Sequence, residues 1–307
     1  MRVERVVERV SMLSVLRGGA TEMDVSRVCV VGFGVMGTGI VQICAQAGYE
    51  TTVVARREES LREGMEKVKF GLRKMAEKGK IQDAEAALKR IHTTTNLEEG
   101  AKDADIVVEA VYEDVSAKRE VFERLDAICK KDAILGSNTS TISIATLASF
   151  TSRPENVIGV HFMNPPPLMP AVEIVKSLKT SEETVQRTVQ FVRSLGKEAV
   201  IVNDFPGFVT RMMMVLMLNE AVKIYENGVA SVEDIDKVIK LSFGWPMGPF
   251  QLLDLIGIDI VANALQAIYN ETGWERFKPA VTMMQYARLG WKGRKTGRGF
   301  YKYEGKK

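Results

Sequence analysis

Histidine is almost absent from this chain: 307 residues carry two, His92 and His161. A reaction that needs a proton carrier near neutral pH therefore has two ordinary places to find one. Cysteine is scarce and odd in number, with three widely separated residues, Cys29, Cys44 and Cys129. That pattern excludes a disulfide framework and a cysteine metal cluster, so no metal is expected, and it fits a reducing cytoplasm. An excess of one charge is also missing. Lys plus Arg number 42 against 39 Asp plus Glu, which leaves a net charge of +3. A dedicated nucleic-acid binder carries a marked basic excess. No apolar run approaches the roughly 18 residues of a membrane-spanning helix. Neither a nucleic acid nor a membrane is thus an expected partner. What is present is the ordinary balance of a globular protein, 46% hydrophobic and 26% charged. The length suits about two domains.

The opening segment mixes Arg and Glu into its apolar positions and so lacks the apolar core of a secretory signal. Val3, Val6, Val7 and Val10 would share one side of a short helix. Residues 1–25 are nevertheless expected to form a poorly ordered extension, with Gly18-Gly19 breaking any helix. Met12 and Met23 are both candidate natural starts. Arg27–Val31 then reads as a strand ending in glycine, Val35–Ala47 as a helix stopped by Gly48, and Thr51–Ala55 as a second strand. Leu61, Met65, Val68, Leu72 and Met75 recur at helical spacing, and Lys78-Gly79-Lys80 marks a turn into a second helix. Strand signals return at Ile106–Ala110, Ile134–Ser137, Val157–His161, Val172–Val175 and Glu198–Val202. Strands alternating with helices predict an α/β fold with a doubly wound, mainly parallel sheet over residues 26–203, carrying a helical hairpin insertion. After Asn203-Asp204-Phe205-Pro206-Gly207 the pattern becomes Met- and Leu-rich helix. Residues 204–307 are expected to form an all-helical domain.

The first strand runs into Gly32-Phe33-Gly34-Val35-Met36-Gly37, a GxGxxG at a strand-to-helix turn. The first glycine permits the tight turn, the second lets the backbone approach a pyrophosphate, and the third lets helix and strand pack closely. The helix N-terminus supplies free N–H groups for phosphate. This reads as the dinucleotide fingerprint of a Rossmann-type domain, with a glycine-rich turn of purely structural duty as the alternative, and Val35 and Met36 lie within it. At the end of the second strand an NAD site wants an acid for the ribose 2′-hydroxyl. Here Ala55 stands there, followed by Arg56 and Arg57. An acid would repel a 2′-phosphate, whereas arginine meets it with paired hydrogen bonds. NADP is therefore favoured over NAD. A solvated arginine turn in a loosely NAD-using protein is the plainer alternative.

His161 stands at the end of a strand signal and opens His161-Phe162-Met163-Asn164-Pro165-Pro166-Pro167. Strand ends leading into loops are where α/β folds place ligands. Glu173 lies in the next strand-like run, flanked by β-branched residues. A carboxylate buried there needs a partner, and His161 is the natural one. A satisfied core histidine beside an unrelated Glu is the alternative. His92 lacks such company and reads as a strand-end surface residue. Ser137-Asn138-Thr139-Ser140 also follows a strand, and suits either a site or a helix N-cap.

Together these segments resemble the short-chain L-3-hydroxyacyl-CoA dehydrogenase family over residues 26–303. The matching motifs are GFGVMGTGI, VVEAVYED, SNTS, HFMNPPP with AVEIV, DFPGF, GWPMGPF with LLDLIGID, and KTGRGFYKY. The resemblance implies reversible oxidation of a short-chain 3-hydroxyacyl-CoA to the 3-ketoacyl-CoA, with hydride passing to a nicotinamide. It implies that His161 is the base and Glu173 its orienting partner. Ser140 would bond the substrate oxygen, and Asn164 would contact cofactor and substrate. Glu113, Lys118 and Lys295 would lie at the cofactor, and Lys78 at the coenzyme A. It also implies a homodimer formed through the helical domain, whose Met212–Leu218 stretch has little polar content. Two departures stand out. Ala55-Arg56 replaces the acid of NAD-using relatives, and Arg211 followed by Met212 replaces an Asn followed by Arg. Arg211 is expected either to stabilise the oxygen that gains charge or to weaken the site. Two rivals remain at this level: a related dehydrogenase of a free hydroxy acid or sugar acid, and a catalytically weak nucleotide-binding protein with a structural or sensing role.

Overall fold

A computed structural model describes residues 25–303. The expected N-terminal extension, apart from Val25, lies outside the described residues. Eight strands form one sheet in the order β3-β2-β1-β4-β5-β6-β7-β8. They are β1 Arg27–Val31, β2 Glu50–Val54, β3 Ile91–Thr94, β4 Ile106–Glu109, β5 Ile134–Ser137, β6 Val157–Phe162, β7 Ala171–Lys176 and β8 Glu198–Asn203. The order reverses between β1 and β4, the switch point where such sheets open a crevice for ligands.

Every neighbouring pair is parallel except β6 and β7, which run antiparallel. Only the short loop 163–170 joins those two strands. A parallel return needs a crossover of about a dozen residues or more, so this link permits only an antiparallel one. Strand β3 escaped the sequence reading. Its four residues, Ile91-His92-Thr93-Thr94, are polar on average and bury no side chain fully. They become a strand because β2 offers an open edge. His92 accordingly sits within an edge strand, exposed and 3.0 Å from Glu50.

The pleat sorts the core into two layers. Val28 and Val30 of β1, Ile106 and Val108 of β4, and Ile158, Val160 and Phe162 of β6 face one side. Helices α1 Val35–Gln46 and α2 Glu58–Glu77 pack there. The turn predicted at Lys78-Gly79-Lys80 leads to α3 Ala84–Lys89, capped by Asp83. Cys29, Val31, Val107 and Leu135 face the other side, under α4 Leu97–Ala101, α5 Val115–Ile128 and α6 Ile144–Ala148. Phe122 and Leu125 of α5 are fully buried there, each worth about 1.5–3 kcal/mol of transfer free energy. Helix α7 Glu182–Ser194 leads to β8, the last strand.

Beyond Asn203 the chain is helical: α8 Thr210–Glu226, α9 Val232–Phe243, α10 Pro249–Ile256, α11 Ile258–Thr272 and α12 Val281–Arg288. Their shared core includes Val215, Leu218, Phe250, Leu253 and Leu265. Two buried acids tie it together. Asp236 accepts N–H bonds from Phe250 at 2.7 Å and Gln251 at 3.1 Å, and so caps α10 from α9. Asp254 accepts from the N–H of Phe300 and Tyr301 and from the Tyr303 hydroxyl. Among the described residues no single helix is long and apolar enough to cross a membrane, and the apolar pair α10 and α11 is bent by 93°.

Candidate active site

A groove of about 930 Å³ crosses the C-terminal ends of β1, β2 and β4, lined by Gly32, Gly34, Ala55, Arg56, Arg57 and Tyr112 among others. The glycines explain its shape. Gly32 has φ +107°, and a Cβ there would lie 2.7 Å from the Ala110 carbonyl carbon. A Cβ on Gly37 would strike the Gly32 carbonyl oxygen, so this glycine keeps α1 close to β1. A Cβ on Gly34 would meet nothing within 4 Å, so this backbone is open to close approach. The first turn of α1 has no side-chain cap and no acid, which leaves its N–H groups for an anion. Val35 and Met36 line the same wall, and Lys67 and Arg124 add positive charge against Glu63 and Glu120. These residues fit a dinucleotide. The rim at β2 presents Arg56 and Arg57 and no carboxylate at Ala55.

The antiparallel β6–β7 pair places His161 directly opposite Glu173. Opposite residues in such a pair face the same side of the sheet. His161 Nδ1 lies 2.8 Å from Glu173 Oε2, and both side chains are buried. Glu173 is further held by the N–H groups of Val209 at 3.1 Å and Thr210 at 2.9 Å on Oε1, and by the Thr210 hydroxyl at 2.8 Å on Oε2. Burial alone would raise its pKa, but the bonds from His161 and Thr210 outweigh it and keep the carboxyl below its usual range. An ionised carboxylate only accepts, so Nδ1 carries a proton towards Glu173 and Nε2 is the ring nitrogen left outside the pair. The sequence reading missed what aims those N–H groups. Gly207 and Phe208 both take positive φ, +81° and +50°. Successive turns of this kind point backbone N–H groups at an anion. The Phe208 ring packs 5.7 Å from the imidazole.

SNTS is not a helix cap. Helix α6 begins later, at Ile144, with no side-chain cap bond. Glu113 instead draws in the loop after β5. Its Oε1 accepts from the Thr139 hydroxyl at 2.6 Å, the Ser140 N–H at 3.0 Å, and the N–H and hydroxyl of Thr141 at 3.1 and 2.7 Å. Burial raises the Glu113 pKa, but Lys118 and these donors overcome it and hold the carboxyl at about 2. Lys118 is itself 1% exposed and bonds Glu109 at 2.7 Å and Glu113 at 3.2 Å. It was expected at the cofactor; the structure puts it beneath Glu113, where burial forces it to pair with carboxylates. Glu109, fully buried at the end of β4, also accepts from the Ser137 hydroxyl at 2.6 Å. Its place in a strand between Val108 and Ala110 hid it from the sequence reading, although an acid there was itself a signal. Arg211 donates from Nη2 to Ser140 Oγ at 2.6 Å. Arg211 is next in the chain to Thr210, so Ser140 is joined to the His161–Glu173 pair through two adjacent residues.

Three expected residues stand apart from this cluster. Asn164 is exposed in the loop after β6, which Pro166 anchors against Gly39 of α1. Lys78 is exposed at the hairpin turn. Lys295 does not line the groove, because Asp259 at the start of α11 holds its Nζ at 2.5 Å. Among the described residues no group of three or more His, Cys, Asp or Glu is placed to hold a metal.

A dinucleotide groove at the switch point, with a buried His–Glu pair at the neighbouring strand ends, defines a nicotinamide-dependent dehydrogenase of the Rossmann class. The family model for "3-hydroxyacyl-CoA dehydrogenase, NAD binding domain" matches residues 27–205. That for the C-terminal domain of the same enzymes matches residues 207–303. A "probable 3-hydroxybutyryl-CoA dehydrogenase" of Bacillus subtilis is 42% identical over 286 residues, covering 92% of this chain and 99% of its own. The 3-hydroxybutyryl-CoA dehydrogenase of Clostridioides difficile is 40% identical, covering 90% of this chain and 99% of its own. The crystal structure of (S)-3-hydroxybutyryl-CoA dehydrogenase from Ralstonia eutropha superposes with a TM-score of 0.89 at 37% identity, covering 92% and 100% of the two chains. The chain belongs to the 3-hydroxyacyl-CoA dehydrogenase family.

Proposed function

We propose that this protein interconverts a short-chain 3-hydroxyacyl-CoA, of the size of 3-hydroxybutyryl-CoA, and its 3-ketoacyl-CoA. The observation that carries the reading is the buried His161–Glu173 pair, bonded through Nδ1 and joined through Thr210 and Arg211 to Ser140. A nicotinamide bound in the groove supplies the hydride chemistry. The protein does the rest. His161 Nε2 takes the hydroxyl proton during oxidation and returns it during reduction, and Glu173 offsets the charge that forms on the imidazole. The Ser140 hydroxyl donates to the substrate's 3-oxygen. Glu113 fixes the backbone that carries Ser140, and Lys118 fixes Glu113. We assign Asn164 to the cofactor and substrate side of the loop and Lys78 to the phosphates of coenzyme A. Lys295 is left with Asp259.

For the cofactor, Arg56 at the groove rim and the missing acid at Ala55 support NADP over NAD. Three buried free thiols, Cys29, Cys44 and Cys129, suit a reducing compartment such as the cytoplasm. Met213, Leu241 and Phe243 are each more than half exposed, which supports a homodimer through the helical part.

The test is a spectrophotometric assay of acetoacetyl-CoA with each reduced nucleotide. Turnover of the thioester, and none of free acetoacetate, is expected, with NADPH giving the higher kcat/KM. A higher value for NADH would reverse the assignment of Arg56. His161→Gln should cut kcat by about 100- to 10,000-fold with nucleotide binding retained. Near-normal turnover would remove His161 from the reaction.

A further inference from the structure

Arg211 is an unusual occupant of this site, and its contacts show what it is placed to do. It sits one residue beyond Thr210, where Glu173 fixes the backbone and hydroxyl at the start of α8. Its Nη2 donates to Ser140 Oγ at 2.6 Å. Its Nε is buried with no partner among the described residues. The charge lies close enough to Glu113 to be felt by it, while burial works against the charge. Arg211 is therefore a cation kept in the site at a cost, with one fork nitrogen committed to the serine.

The consequence follows from hydrogen-bond chemistry. A serine hydroxyl has one proton to give and lone pairs to receive with. By donating to Oγ, Arg211 fills the acceptor side and leaves the proton for an outside acceptor. Ser140 Oγ donates to no described group. A hydroxyl that accepts from a cation becomes a better donor, because linked hydrogen bonds polarise one another. The benefit grows as the acceptor gains negative charge, which is when a transition state is stabilised over a ground state. We propose that Arg211 is a positioning residue that acts through Ser140, holding the hydroxyl and strengthening its bond to the substrate's 3-oxygen as that oxygen becomes an alkoxide. No bond to Arg211 forms or breaks, and its proton stays in place. This rests on the proposed dehydrogenase reaction.

The experiment is a double-mutant cycle on the whole protein with acetoacetyl-CoA, using Arg211→Met, Ser140→Ala and the double variant. Arg211→Lys serves as the conservative variant. Nucleotide binding and thermal unfolding are measured for each. Arg211→Met should lower kcat by about 10- to 100-fold with little change in KM, the size of one charge-assisted bond. In the Ser140→Ala background the same change should cost less than about threefold, because its intermediary is gone. Arg211→Lys should retain more activity than Arg211→Met. Additive losses in the double variant would overturn the proposal, as would an unchanged kcat in Arg211→Met. A lower kcat that tracks loss of folding in Arg211→Met, with full activity in Arg211→Lys at unchanged coupling to Ser140→Ala, would also overturn it. The wild type decides the underlying reaction separately: no turnover with either reduced nucleotide overturns that reading and this one with it.

Discussion

At the scale of single residues, the site is a chain of carboxylates, each kept ionised by a different set of donors. Glu173 is served by a histidine, a hydroxyl and two N–H groups. Glu113 is served by Lys118 and the 139–141 loop. Glu113 is the one whose charge has a readable pH signature. Its pKa falls from an ordinary 4.5 to about 2 in the folded protein. The folded state thus binds this proton less readily than the unfolded chain does. Its contribution to stability is complete above the unfolded value and fades as pH falls from there toward the folded one. Glu113→Gln should therefore flatten the acid limb of the stability curve, as read from urea midpoints between neutral pH and about pH 2. An acid limb as steep as that of the wild type would show that other carboxylates set it. Scarcity made His161 legible, since two histidines left little choice. Phe208, Thr210 and Glu109 were not legible, because their value lies in a backbone turn or a buried partner that composition does not reveal.

At the scale of elements, two features of the sheet lay outside the sequence reading, and one of them, the direction of β7, sets the site. Strand β7 was placed correctly along the chain, but its direction is a property of the short loop before it. That direction sets His161 across from Glu173 rather than offset from it. Strand β3 has no burial pattern of its own and exists because β2 has a free edge. By contrast β1, β5 and α2 were legible because their apolar periods are strong and each ends in a clear signal. The join between β4 and α5 offers an energetic test. Lys118 and Glu109 are 1% and 0% exposed and 2.7 Å apart. Removing one partner of a buried pair leaves an uncompensated charge, which costs about 3–5 kcal/mol. Lys118→Met should lose that much in urea unfolding, and should loosen Glu113 and the Ser140 loop with it. A loss under about 1 kcal/mol, the scale of an exposed pair, would mean that water reaches Glu109.

At the scale of the whole molecule, the near-zero net charge says little about partners, because the decisive charges are local. Arg56 stands at the groove rim and Arg211 at Ser140, and a sum over 307 residues averages both away. The distribution of apolar surface is more informative. The central strands are covered on both faces and edge strand β8 leaves Val200 and Ile201 each 47% exposed, while the helical part leaves Val238, Leu241 and Phe243 of α9 and Met213 of α8 at 54%, 75%, 62% and 65% exposure. In the sequence, Met212–Leu218 reads as either core or interface. The structure divides that stretch, with Val215 and Leu218 inside and Met213 outside. Helix α9 carries Lys237 and Lys240 as well; Val238 and Leu241, three apart, share a side of it, and Phe243 is its last residue. Large apolar side chains left in water favour a contact that covers them. A homodimer of twice the 34.1 kDa chain is therefore expected in light scattering at micromolar concentration. Leu241→Glu would place a carboxylate in that face, opposite its own copy across a two-fold axis, where like charges repel. It should shift the mass toward the monomer while leaving the His161–Glu173 pair and nucleotide binding intact. A dimer of unchanged stability in that variant would move the contact away from α9, and a monomeric wild type would remove it altogether.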